Sequence, residues 1–441
     1  MANLSRRKFI ITAGISAAGT LLAHGCSSPR NNANTNNSNQ TTPTANVNPA
    51  DAPEITTAKL GFIALTDSAP LIIAKEKGLF DKYGMKDVEV IKQTSWATTR
   101  DNLEIGSQGN GIDGAHVLTP IPYLMSLGKI TKGNQKVPMY MMARLNTNGQ
   151  AMSITNTYKD LKIGLDSKPL KEVFAKAKAG GKELKCAVTF PGGTHDLWMR
   201  YWLSAGGIDP NNDVSIIVVP PPQMVTNMKE GNMEAFCVGE PWNAQLVNQN
   251  LGYTAFTTGE FWKDHPEKSF TMRKDWVDKY PKAAKAILKA ILEAQVWCDK
   301  PENKQELADI IGKQKYLKVP STDIADRLKG KIDYGHGKIV DNSPVLMKFW
   351  NDAASYPFKS HDTWFVTEDI RWGYIPADTD IKKLVDEVNR EDMWREAAKE
   401  IGQEAAIPKS PSRGVETFFD GVKFDPENPQ EYLKSLKIKK A

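Results

Sequence analysis

Hydrophobic and polar positions divide the chain into three regimes. Residues 9–23 form an apolar run broken only by small and weakly polar residues. Residues 27–53 are polar, low in complexity and free of aromatics. From Ile55 onward, short apolar runs of strand length alternate with stretches whose apolar residues recur at helical spacing.

The third regime predicts strands at 58–65, 88–92, 112–118 and 137–145, with helices at 69–83 (ending at Gly84), 98–105 and 120–127. The pattern continues with strands at 184–190, 214–219 and 233–238 and helices at 194–205, 223–230 and 241–250. Alternation of this kind predicts an α/β fold of open, mostly parallel sheets with helices on both faces. From Pro281 the pattern changes to helices at 281–298, 304–313, 379–389 and 391–401, which are expected to wrap back over the first lobe.

The first two regimes speak of location. Ser5-Arg6-Arg7-Lys8-Phe9-Ile10 is a twin-arginine start, and the apolar run behind it is shorter than the roughly 20 residues that cross a bilayer. It reads as an export signal over 1–25. Cys26 directly follows Gly25 and resembles a lipoprotein cleavage site; the plainer alternative is a soluble signal with an incidental cysteine. Residues 26–53 lack the apolar surface to fold and read as a tether.

About 390 residues remain, too many for one core, so two lobes are expected: 54–147 for the first, 148–264 for the second, and 265–441 returning to the first and adding the helical wrap. The composition, 40% hydrophobic and 25% charged, is that of an ordinary globular protein. Arg6, Arg7 and Lys8 are the only charged residues of the leader, so the formal charge of +5 falls to +2 without it. No basic cluster interleaved with aromatics points to nucleic acid. Cys186, Cys237 and Cys298 sit among apolar neighbours and read as buried small hydrophobes. His116, His265, His336 and His361 show no ligand spacing, so neither a metal nor a cofactor is expected. The chain also lacks a Gly-x-Ser-x-Gly elbow, a Walker loop and a His-Glu-x-x-His helix, which argues against an enzyme.

Five segments fall where strands are expected to give way to helices around a cleft. Trp96, in Thr94-Ser95-Trp96-Ala97, has an indole N–H that only donates, although a single Trp there more often serves a core or hinge. Gln150, after Asn146-Thr147-Asn148-Gly149, offers amide donors at a crossover between lobes, or belongs to a solvated loop. In Pro191-Gly192-Gly193-Thr194-His195-Asp196, Thr194 is expected to cap a helix whose N-terminus suits an anion. His195 in its first turn is disfavoured as a cation but still donates when neutral; a plain cap with a surface histidine is the rival. Gly239, before Glu240-Pro241-Trp242, permits close backbone approach or makes an ordinary turn. Lys268, in Asp264-His265-Pro266-Glu267-Lys268, is by itself one lysine among many.

Trp96, Gln150, His195, Gly239 and Lys268 share one property: each supplies a donor. A pocket of donors and one cation suits a small anion that accepts and never donates, as nitrate and nitrite do. Bicarbonate carries an O–H and calls for an acceptor. Glu240 beside such a pocket must point away or be paired.

At these residues the chain closely resembles the nitrate-binding lipoproteins of cyanobacterial nitrate/nitrite ABC transporters, within the nitrate/bicarbonate-binding family of periplasmic solute-binding proteins. The resemblance runs through Leu60-Gly61-Phe62-Ile63-Ala64-Leu65-Thr66-Asp67, Pro191-Gly192-Gly193-Thr194-His195-Asp196, Val238-Gly239-Glu240-Pro241-Trp242 and His265-Pro266-Glu267-Lys268. It extends to Ser412-Arg413-Gly414-Val415-Glu416-Thr417-Phe418-Phe419-Asp420-Gly421 near the C-terminus. The resemblance implies a two-lobed periplasmic-binding-protein fold and nitrate ligands at Trp96, Gln150, His195, Gly239 and Lys268. It further implies lipidation at Cys26 and an inner-membrane permease with a cytoplasmic ATPase as partners. The bicarbonate branch lacks the histidine of the Gly-Gly-Thr-His turn and has an acid in place of Lys268. A related fold also serves thiamine-pyrimidine synthesis, but that chemistry wants a cysteine-rich motif this chain lacks.

Overall fold

The structure is a computed structural model that describes residues 49–440. The twin-arginine leader, Cys26 and residues 26–48 of the expected tether lie outside the described residues.

Ten strands form two five-stranded sheets: β1 (Thr57–Phe62), β2 (Asp87–Lys92), β3 (Gly114–Leu118), β4 (Met139–Thr147), β5 (Gln150–Thr155), β6 (Lys185–Val188), β7 (Ser215–Val218), β8 (Ala235–Gly239), β9 (Gly252–Thr257) and β10 (Pro266–Arg273). The first sheet has the order β2-β1-β3-β10-β4 and the second β7-β6-β8-β5-β9. The α/β expectation holds, but both sheets are mixed. β1, β2 and β3 run parallel, as do β6, β7 and β8, while β10 and β5 enter antiparallel to their neighbours. The reason is topological. Each sheet receives one strand from a chain that has just left the other sheet, and that strand arrives pointing the opposite way. The site lies at these crossings.

Residues expected as a single helix at 69–83 form two, Ala69–Glu76 and Leu79–Lys82, because Gly78 adopts φ 66° between them. The Pro281–Asp299 helix, which buries Ala283, Ile287, Ala290, Ile291 and Ala294 among others, packs on the Ala69–Glu76 helix. Each such Ile contributes about 1.5–3 kcal/mol by leaving water.

The C-terminal segment reaches beyond the first sheet. On the Lys359–Arg371 helix, Asp362 pairs with Arg144 of β4, while Trp364 stacks on Trp198 beside the second sheet, centroids 5.0 Å apart at 19°. Phe418 continues this aromatic cluster onto Phe261 and Trp262. Cys186, Cys237 and Cys298 are free and buried within apolar packing.

Candidate functional site

Lys268 is the third residue of β10, opposite Leu118 at the end of β3; Gln150 opens β5, opposite Gly239 at the end of β8. Both therefore lie where parallel strands end, the usual ligand position in open α/β sheets. His195 joins them from the start of the Thr194–Ala205 helix. Lys268 was expected in a turn; it lies inside a strand and is 0% exposed.

Three of the expected residues converge on one atom. The His195 Nε2–H donates to Gln150 Oε1 at 2.7 Å, and Lys268 Nζ approaches the same oxygen at 3.5 Å. Gly239 borders it closely: a Cβ there would stand 2.6 Å from Gln150 Oε1 and 3.1 Å from Asp67 Oδ2. Trp96 lies one residue further out, its ring 5.2 Å from that of His116. Its indole N–H is buried and has no hydrogen-bond partner. A buried donor left so is unusual and costs about 1–3 kcal/mol.

Donors do not furnish the site alone, and here the sequence expectation is corrected. Lys268 Nζ is held at 3.0 Å by Asp67 Oδ2 and at 3.0 Å by Glu267 Oε1. An ammonium removed from water needs such counter-charges. Both carboxylates are in turn saturated with donors from the chain. Asp67 accepts from His116 Nε2 at 2.7 Å and Gln150 Nε2 at 3.0 Å. Glu267 accepts from Trp198 Nε1 at 2.8 Å and from the Thr194 hydroxyl. Thr194 is thus spent on Glu267 and does not cap its helix, whose N-cap is Gly193. Thr194 and Trp198 are four residues apart and share a helix face.

Electrostatics follow from burial against pairing. Burial pushes the Asp67 carboxyl up, but Lys268 and His116 outweigh it and hold the group well below the usual carboxylate range. Burial likewise disfavours the Lys268 ammonium, yet Asp67 and Glu267 raise its pKa above that of a free lysine. For Glu267 burial prevails over Lys268, Thr194 and Trp198, and its pKa is raised. His195 is driven well below its ordinary value, by burial first and then by Lys268. Its ring is neutral, with Nδ1 at 2.6 Å from the Thr189 hydroxyl.

Asp67, His116, Glu267, Thr194 and Trp198 were not singled out as site residues. Asp67 ends the Leu60–Asp67 stretch and Glu267 directly precedes Lys268, so the signal was a buried cation's need for adjacent acids. Glu240 is paired with Arg327 at 2.6 Å, which answers the expectation that its charge be turned away or matched. Among the described residues no group of three or more His, Cys, Asp or Glu side chains is disposed to hold a metal ion, and no helix is long and apolar enough to cross a membrane.

Two α/β lobes exchanging strands, with a sealed polar cluster at the exchange, are the construction of the periplasmic-binding-protein fold. The chain belongs to the NMT1-like family, which matches it over residues 51–312. It is 61% identical over 100% of both chains to the nitrate/nitrite binding protein NrtA of Nostoc sp. PCC 7120. The crystal structure of the periplasmic nitrate-binding protein NrtA from Synechocystis PCC 6803 superposes with a TM-score of 0.86 at 63% identity, covering 88% of this chain and 100% of that one. The bicarbonate-binding protein CmpA of Synechococcus elongatus is more distant, 42% identical over 99% of both chains.

Proposed function

We propose that this protein is the periplasmic solute-binding component of an ABC importer, and that it binds nitrate, with nitrite as a second ligand, between its lobes. The observation that carries the reading is the meeting of His195 Nε2 and Lys268 Nζ at Gln150 Oε1, beside Gly239. An anion oxygen at that point would replace the amide oxygen, and Gln150 would turn its own N–H groups toward the anion. Trp96 brings a further donor with no other partner. His195 and Lys268 belong to the nitrate side of the resemblance and differ from its bicarbonate side.

Lys268 belongs to a strand of the first sheet and Trp96 to the Trp96–Ile105 helix that follows β2 of that sheet, Gln150 and Gly239 to strands of the second, and His195 to a helix beside it. An anion held by all of them favours the closed arrangement, which is the form to present to a permease driven by a cytoplasmic ATPase. In this reading 54–147 is the first lobe, 148–264 the second and 265–441 the return. The leader exports the chain, and lipidated Cys26 holds it at the inner membrane.

A calorimetric titration of the mature protein with nitrate, nitrite and bicarbonate tests the ligand. Saturable heat is expected with nitrate. Binding of bicarbonate with no response to nitrate would select the rival oxyanion.

A further inference from the structure

The charge balance of the cluster is unfavourable for an anion. Lys268 supplies one positive charge, while Asp67 and Glu267 supply two carboxylates, all three at 0% exposure. The three imidazoles that face them, His116 from β3, His195 from its helix and His265 from the turn before β10, are neutral, each with its pKa lowered by burial first. Cys237 of β8 is a neutral thiol, pushed up by burial and by Glu267. Asp264 and Arg413 lie beyond His265 on opposite sides of the charge balance. Arg144 is committed to Asp362. With Glu267 ionised, the sealed cluster already carries one net negative charge, and an arriving anion would make it two. Buried charge of one sign is strongly disfavoured.

Resting on the anion-site reading above, we infer that the protein takes up one proton from solvent with each nitrate it binds, and that Glu267 is the acceptor. Glu267 is suited to this and Asp67 is not. Each carboxylate is bound by three donors, but those on Asp67 cannot turn into acceptors: the Lys268 ammonium and the Gln150 N–H have no lone pair to offer, and His116 keeps its Nε2–H on Asp67 because its Nδ1 faces the Ile63 N–H. Glu267 is already raised by burial, and an anion that draws on Lys268 removes part of what keeps it ionised. The proton has a place to point: the Thr194 hydroxyl, which donates to Glu267 Oε1, can rotate and accept instead. The ligand is then stored as a neutral pair, anion plus proton, and its release returns the proton to solvent.

The sign follows from linkage. The bound form holds one proton more than the free form between the two pKa values of Glu267, so affinity falls as pH rises through that window, by about tenfold per pH unit.

The test is calorimetric titration of the full mature protein with sodium nitrate at fixed pH, in phosphate and in Tris, which differ in ionisation enthalpy. A difference in heat corresponding to about one proton absorbed per nitrate is expected, with a Kd that weakens toward alkaline pH. Glu267→Gln should bind nitrate with no buffer dependence and a Kd flat in pH. Heats identical in both buffers for the unmodified protein overturn the inference while leaving nitrate binding intact. Proton uptake that persists in Glu267→Gln overturns the assignment to Glu267. Absence of any nitrate binding overturns the functional reading itself, and this inference with it.

Discussion

Lys268 Nζ and His195 Nε2 stand 3.4 Å apart, two donors brought side by side from a strand of the first sheet and a helix beside the second, and held there by acceptors. Neither bonds the other, since the ammonium has no lone pair and the His195 Nε2 carries its proton toward Gln150. Their closeness has a consequence for the charge at 268. Lys268→Glu would place a third carboxylate among Asp67 and Glu267, a loss of about 3–5 kcal/mol. Nitrate binding should disappear and urea unfolding should shift to lower denaturant. Micromolar affinity retained in a folded variant would contradict the role given to this charge.

Trp96 separates packing from hydrogen bonding. Trp96→Phe keeps a ring against His116 and deletes only the partnerless N–H. Nitrate Kd should rise about tenfold or more, the worth of a hydrogen bond to a charged group, while thermal stability changes little. An unchanged Kd would assign Trp96 to packing alone.

Gly239 tests the close approach. An alanine Cβ would lie 2.6 Å from Gln150 Oε1, too near for the amide to stay where it is. Gly239→Ala should weaken nitrate binding by at least tenfold, about 1.4 kcal/mol, with far-ultraviolet circular dichroism unchanged. A variant that binds as well as its parent would show that Gln150 is not fixed by this contact.

His361 provides a pH prediction away from the site. It is buried against Phe358 and Trp262, and burial lowers its pKa to about 3. The unfolded chain protonates it near pH 6.5 and the folded chain does not. The unfolded state therefore binds more protons across this interval, and stability falls as pH drops, by about 1.4 kcal/mol per pH unit from this group. Urea unfolding between pH 6.5 and 4 should show a shallower loss in His361→Gln than in the parent. Parallel curves would mean that His361 is charged in the folded protein.

Much of this architecture could be read from local pattern. The parallel strands and the Thr194–Ala205 helix carry their periodicity openly, and the Gly-Gly-Thr-His turn marked a strand end. β5, β9 and β10 are not legible because polar residues occupy their buried positions (Gln150, Ser153, Thr254, Thr257, Glu267, Lys268), so neither a continuous apolar run nor an alternation marks them. Lys268 could not be placed for the same reason: a lysine inside such a strand looks like a surface residue until its carboxylates are known. Asp67 lies 201 positions away in the chain, and no local spacing reveals the pair. The donors were legible one by one; the acids that balance them emerged only from the crossing of the two sheets.

The most direct measurement is a crystal structure of the mature protein grown with nitrate. The anion is expected within hydrogen-bonding distance of Lys268 Nζ, His195 Nε2, the Gln150 amide and the Trp96 indole, with the Gln150 oxygen turned away. Nitrate bound elsewhere, with Gln150 Oε1 still facing His195 and Lys268, would contradict the account.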